Sequence, residues 1–359
     1  MNQPNTEKPM TEQNDTCLRI HSHRITEIRE TFGVSGNTAL SPGQEADSLQ
    51  IVRCSLCQSP GSGFKKLDIQ DRQWAAPILA EEDSLGSDGC FGTHFLWGGA
   101  YGLTAARSGD RMIAKYVTDN SLFFAYPSGT GPLVPAVSLM KQLARQKGQP
   151  LLIKGMTEEQ KARLEAEFPT QFVFREMPGS ADYIYEAEAL AKLAGKKLHN
   201  KRNHCNRFEQ ECPDWHFDSL QQKHFSSCLA LLDTWEEIHE GQEDGMPEAE
   251  KDAILKAFKH YDSLGLEGGV LYAGSRLIAF TLGEPVGKNG FDVRFEKADT
   301  SVHGAYQMVN REFVRHLLVK YPHLKYVNRE EDMGMENLQK AKESYYPAFL
   351  LKKYAGRWD

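Results

Sequence analysis

The order of hydrophobic and polar positions predicts most of the elements of this chain. Residues 68–80 carry apolar side chains at helical spacing, and residues 91–101 hold four aromatics that read as core. Three β-type runs follow at 102–107, 112–117 and 122–126, with Ser108, Gly109 and Asp110 as a hairpin turn between the first two. The loop PSGTGP at 127–132 opens an amphipathic helix over 133–146. A strand at 151–154, a helix at 157–168 and a strand at 172–176 come next. Thr157 is the cap of that helix, with Glu158, Glu159 and Gln160 in its first turn.

The second half repeats the order. Helices are expected at 187–208, 225–238 and 248–261, strands at 269–273, 277–286 and 290–297, then helix 304–320, strand 325–328 and helix 336–344. A doubled order of this kind predicts an α+β chain of two like domains, 64–185 and 186–359, each a mixed, mostly antiparallel sheet flanked by helices. Residues 1–63 are rich in Asn, Gln, Thr, Ser, Gly and Pro and are expected to form a mostly disordered extension.

Composition narrows the function classes. The 359 residues include 42 Lys and Arg against 49 Asp and Glu, a balance of 42 − 49 = −7, which excludes a general nucleic-acid coat but leaves room for a local basic patch. No run approaches the roughly 18 apolar residues of a membrane helix, and the N-terminus lacks the apolar centre of a signal peptide, so a cytoplasmic location is expected. Seven cysteines scattered over the chain read as reduced thiols. Cys54-x-x-Cys57 lacks a second pair at finger spacing, and no metal site is expected.

Three clusters could carry chemistry. Six Lys or Arg and no acid lie from Lys192 to Arg207. Lys197, Lys201 and His204 share one face at helical spacing, Lys196, Asn200, Asn203 and Arg207 form the neighbouring stripe, and Arg202 adds a further charge. Such a face suits phosphates, or it pairs with the seven carboxylates between Glu236 and Glu250. In the second cluster, alternation puts Phe291, Val293 and Phe295 on one side of a strand and Asp292, Arg294 and Glu296 on the other. That strand leads to a helix start at Gly304, whose free N–H groups favour an anion. In the third, Asn328, Glu330 and Asp332 alternate ahead of Tyr345 and Tyr346, so that paired carboxylates could serve as a base or cap a helix. Neither a Gly-x-Ser-x-Gly elbow nor a Walker loop occurs, which ranks hydrolases and NTP-dependent enzymes low.

Three separated stretches, DYIYEAEALAKLAGKKLHNKRNHCNRFEQECPDW at 182–215, GAYQMVNREF at 304–313 and ENLQKAKESYYPAFLLKKY at 336–354, resemble the bacterial family related to the C-terminal domain of phosphatidylglycerol lysyltransferases. The resemblance runs from about Phe64 to the C-terminus. It implies two tandem GNAT-like acyltransferase domains, the second catalytic, and aminoacyl transfer from charged tRNA to a small-molecule, lipid-headgroup or protein acceptor. By the same resemblance Lys196 matches a basic motif and Asp292 an acidic residue on the fourth strand, with Arg294 and Glu296 beside it as catalytic candidates. Lys197, Lys201, Arg202, Arg207, Gly304, Tyr306, Asn310, Asn328, Glu330 and Tyr345 are the implied substrate or phosphate contacts. The relatives place an Arg three residues after the Asp, where this chain has Phe295. An acyl-CoA donor ranks second to aminoacyl-tRNA, because Ser301 and Tyr306 stand where a pyrophosphate loop wants Gln or Arg and a small residue. The competing class is a non-catalytic module that binds RNA or an anionic partner through the basic helix.

Overall fold

The computed structural model describes residues 63–118, 121–239 and 248–359. The expected extension and its Cys54-x-x-Cys57 pair lie outside the described residues, apart from Gly63. Helices α1 (Arg72–Ala80) and α2 (Phe91–Trp97) come first, followed by strands β1 (Leu103–Ser108), β2 (Arg111–Thr118), β3 (Ser121–Ala125) and β4 (Ser128–Gly129). Helix α3 (Leu133–Gln146), β5 (Leu151–Met156), α4 (Glu158–Glu167) and β6 (Val173–Glu176) complete the first half. Thr157 caps α4 as its sequence predicts: its hydroxyl accepts the Gln160 N–H, and the Gln160 side chain accepts the N–H of Thr157.

The second half begins with β7 (Asp182–Glu186), α5 (Ala187–Lys192), α6 (His199–Glu211) and β8 (Trp215–Ser219). Helices α7 (Phe225–His239), α8 (Glu248–Lys259) and α9 (Tyr261–Leu264) lead to strands β9 (Glu267–Ala273), β10 (Arg276–Val286) and β11 (Gly290–Ala298). Helix α10 (Ala305–Lys320), β12 (Tyr326–Asn328), α11 (Glu336–Glu343), β13 (Phe349–Leu351) and β14 (Tyr354–Trp358) finish the chain.

Two mixed sheets result, in the order β1-β2-β3-β5-β14-β6, with β4 on β2, and β13-β7-β12-β11-β10-β9-β8. Each contains one parallel pair with a crossover helix, β3 with β5 around α3 and β11 with β12 around α10. The chain does not fill the sheets in sequence order. β14 comes back from the far end of the chain to lie between β5 and β6. One apolar core packs α3 on the first sheet, and a second packs α5, α6 and α10 on the other. A third joins the sheets: Phe91, Phe95 and Leu96 of α2 meet Met112 and Ala114 on one side and Phe280, Leu282 and Phe295 on the other.

Two departures from the sequence pattern bear on the site. The helix expected over 187–208 is two helices, because Leu193 and Gly195 take left-handed backbone angles (φ 47° and 80°). Lys196 and Lys197 therefore stand in the turn between them rather than on a shared helix face with Lys201. The alternation along β11 also breaks. Leu282 pairs with Phe295 and Gly283 with Val293, so Arg294 is the extra residue of a bulge. Phe291 and Val293 keep to the core under α10, whereas Phe295 turns to the opposite core and packs 5.9 Å from the Trp97 ring. Among the described residues no helix is long and apolar enough to cross a membrane.

Candidate functional site

A cleft of about 2010 Å³ opens between the two sheets, lined by Tyr116, Tyr126, Ser128 and Lys154 from the first and by Arg294, Glu296, Arg329 and Glu330 from the second. It lies beyond the carboxyl ends of the two parallel pairs, where diverging strands leave a crevice.

The floor of the second half is a buried charge cluster. Arg294 Nη2 reaches Asp292 Oδ2 at 2.8 Å and Glu284 Oε1 at 2.9 Å, while Nη1 donates to Thr93 Oγ1 at 2.6 Å and stands 3.6 Å from Glu330 Oε1. The close fit of α2 over this cluster needs Gly92, since a Cβ there would fall 1.9 Å from Glu284 Oε1. Behind Asp292, Asp182 Oδ2 accepts from the Asn328 amide and the Ser87 N–H, both at 2.9 Å, and Lys353 Nζ pairs with Asp182 Oδ1 at 2.8 Å. Asp292, Glu284, Glu330 and Asp182 thus share Arg294 and Lys353 as cations. Burial pushes Asp292 up to about 7 against the pull of Arg294. Burial and the neighbouring Asp292 hold Glu330 well above the usual carboxylate range. The Asp292 side chain is wholly enclosed, and its Oδ1 has no hydrogen-bond partner among the described residues. Glu330 reaches the cleft surface from a left-handed backbone position (φ 57°), fixed by its N–H donating to Asn328 Oδ1.

A second wall is basic and aromatic. Lys201 lies over the Tyr345 ring at 4.2 Å, with the Arg329 guanidinium also over that ring at 4.8 Å. Arg329 donates to Glu296 at 2.9 Å, and Asn310 donates to the other Glu296 oxygen at 3.1 Å. Tyr306, pushed up to about 12 by burial, accepts from Trp235 Nε1 at 3.2 Å. Burial and the charge of Arg329 bring Lys201 down to about 8. Binding of an anion at Lys201 is therefore expected to weaken as pH rises through about 8. Titration of the affinity for a polyanionic probe between pH 7 and 9 checks this, and Lys201→Met is expected to flatten the curve and to lower the salt slope by about 1.

Of the residues the sequence singles out, Arg294, Glu296, Lys201, Tyr306, Glu330 and Tyr345 line the cleft, and Asp292, Asn310 and Asn328 support it from behind. The others lie apart. Lys196 and Lys197 are exposed in the turn before α6, Lys197 near the Tyr346 ring at 5.5 Å. Arg202 is spent on the carbonyls of Leu193 and Gly195, and Arg207 pairs with Glu211 at 2.7 Å. Gly304 gives α6 room to pack, since a Cβ there would meet the His204 carbonyl at 2.5 Å. Of the acidic stretch, Glu236 pairs with Lys251 and Glu250 with Lys297, neither of them a member of the basic run.

Asp182, Glu284, Lys353, Thr93 and Arg329 escape the sequence reading. Lys353 and Asp182 sit at the ends of two of the quoted stretches, where only their meeting across the fold reveals a role.

The model for the family described as phosphatidylglycerol lysyltransferase, C-terminal, matches residues 80–356. A conserved protein of unknown function from Bacteroides thetaiotaomicron VPI-5482 is 33% identical with a TM-score of 0.78, over 82% of this chain and 99% of that one. The L-PGS of Bacillus licheniformis has the same fold at 16% identity and a TM-score of 0.57, over 79% of this chain and 90% of that one. An uncharacterized protein of Mycoplasmoides gallisepticum is 26% identical over 177 residues, 49% of this chain and 55% of that protein, so the chain spans about half the length of this curated relative.

Proposed function

The chain belongs to the phosphatidylglycerol lysyltransferase C-terminal family, a GNAT-like acyltransferase fold, and on that premise we propose that it moves an aminoacyl group from charged tRNA to an amine or hydroxyl acceptor. The observation that carries this reading is the cleft. At about 2010 Å³ it exceeds the roughly 300–1,000 Å³ of small-molecule sites, and the cations Lys201 and Arg329 on one wall suit phosphates.

The chemistry asks for a held donor, a stabilised oxyanion and a ready nucleophile. Lys201, Arg329 and Tyr345 hold the acceptor end of the donor. Lys196 and Lys197, outside the cleft, meet phosphates further along the same RNA. Arg294, enclosed just beneath the cleft floor behind Thr93, lends its positive field to the oxygen that becomes negative as the ester carbonyl is attacked. Asp292 and Glu284 orient that guanidinium. Glu330 is the carboxyl of this cluster that faces the cleft, and it positions the acceptor through a hydrogen bond.

Label transfer from a pool of charged tRNAs, with labelled acetyl-CoA in parallel, tests the reading. Label is expected to leave tRNA with the unaltered protein, and Arg294→Lys is expected to slow this by about 10²–10³. Movement of label from acetyl-CoA alone would replace the donor. Transfer from neither would leave a module that binds RNA or another anion.

A further inference from the structure

On the α2 side of the cleft one imidazole, that of His94, lies at the surface of the cavity though only 4% exposed. Its Nε2 is 2.9 Å from the carbonyl oxygen of Asp88. A carbonyl can only accept, so Nε2 carries the proton of the neutral ring and Nδ1 keeps its lone pair. Nδ1 faces the hydroxyl of Tyr116 at 3.4 Å, and Tyr116 also lines the cleft. The residue before His94 is Thr93, whose hydroxyl accepts from Arg294 and donates to the carbonyl of Ser87. The imidazole is thereby anchored through its backbone beside the guanidinium.

The charged and titratable groups around the ring are Asp88, Arg294 and Tyr116. Lys256 and His260 pack on the neighbouring Phe95 instead. Burial lowers the affinity of the ring for a second proton, Asp88 opposes this and Arg294 adds to it, so His94 is neutral at pH 7. A base with a fixed tautomer, an unprotonated nitrogen and a hydroxyl between it and the cavity is the arrangement that proton removal from a nucleophile needs.

We propose that His94 is the proton acceptor of the transfer reaction, acting through the Tyr116 hydroxyl. The inference rests on the transferase reading above. As the acceptor amine or hydroxyl attacks the donor carbonyl carbon, its proton passes to the Tyr116 oxygen and the proton of Tyr116 passes to Nδ1. The new bond to carbon forms, the developing oxyanion lies in the field of the enclosed Arg294, and the carbon–oxygen bond to the donor then breaks. The leaving oxygen recovers the proton from His94 by the same path, so no further reactant is consumed.

The test is the pH profile of kcat/KM for the full chain with charged tRNA. The unaltered protein is expected to lose activity below the ordinary histidine value of about 6.5. His94→Gln and Tyr116→Phe are expected to lower kcat by about 10²–10⁴ with KM for the tRNA unchanged, and to abolish that acid limb. Tyr116→Phe keeps the ring volume, so it decides the matter if His94→Gln fails to fold. Folded variants with undiminished kcat, or an acid limb that survives in either, would overturn the inference and leave the transferase reading standing. An unaltered protein that transfers from no donor overturns both.

Discussion

Arg294→Met is expected to lower the stability of the protein by about 3–5 kcal/mol and to abolish transfer. The methionine fills much of the same space, so the loss is electrostatic: Asp292 and Glu284 remain buried with their shared counter-ion gone. Urea denaturation of the variant and the parent measures the difference. The pH dependence identifies its source. A buried carboxyl whose folded value is raised contributes stability below its unfolded value of about 4, and this is lost as pH rises through the folded value, which for Asp292 is about 7. Without Arg294 the carboxyls rise further, so the variant is expected to go on losing stability to higher pH than the parent, and the gap between them widens above pH 7. A gap between the two proteins that is the same at pH 5 and pH 8 would refute this account.

Lys353→Met is expected to cost a similar amount, about 3–5 kcal/mol, although the residue lies far in sequence from the Asp182 it pairs with. Its ammonium is the cation paired with Asp182, whose side chain is fully enclosed, at 2.8 Å. Lys353 stands in the two-residue link between β13 of one sheet and β14 of the other. Removing its charge leaves the Asp182 carboxylate unpaired at the seam. The double variant with Asp182→Asn is expected to recover part of the loss, because no uncompensated charge then remains. A double-mutant cycle should give an interaction of about 0.5–3 kcal/mol. Additive losses would mean that the pair acts only through its separate packing.

How much of this was legible in the sequence follows from the range over which each interaction acts. The α3 bounds, the Thr157 cap and the three antiparallel strands are local patterns, and they can be read from a dozen residues at a time. The strands at 182–186, 215–219, 349–351 and 354–358 are short and depend on partners far away, so nothing local marks them. In the site, Asp292, Arg294 and Glu296 are legible as charges alternating with Phe291, Val293 and Phe295. The bulge that makes Arg294 the extra residue depends on the pairing with β10, which no alternation rule contains. The basic run at 195–208 was visible as charge, but the left-handed angles at Leu193 and Gly195 decide that Lys201 enters the cleft while Lys196 stays outside.

The place of β14 between β5 and β6 has a consequence for synthesis. As the chain leaves the ribosome, β5 and β6 emerge some 180 residues before the strand that joins them. Until then the first sheet has two open edges facing each other, and open edges invite wrong partners. Whichever half begins to fold first, the half that appears first is the last to be completed. Its final stitch carries Lys353 with it, so the same event that closes the first sheet delivers the ammonium to Asp182 in the second. The cleft can therefore take its final form only on chains that have been read through β14.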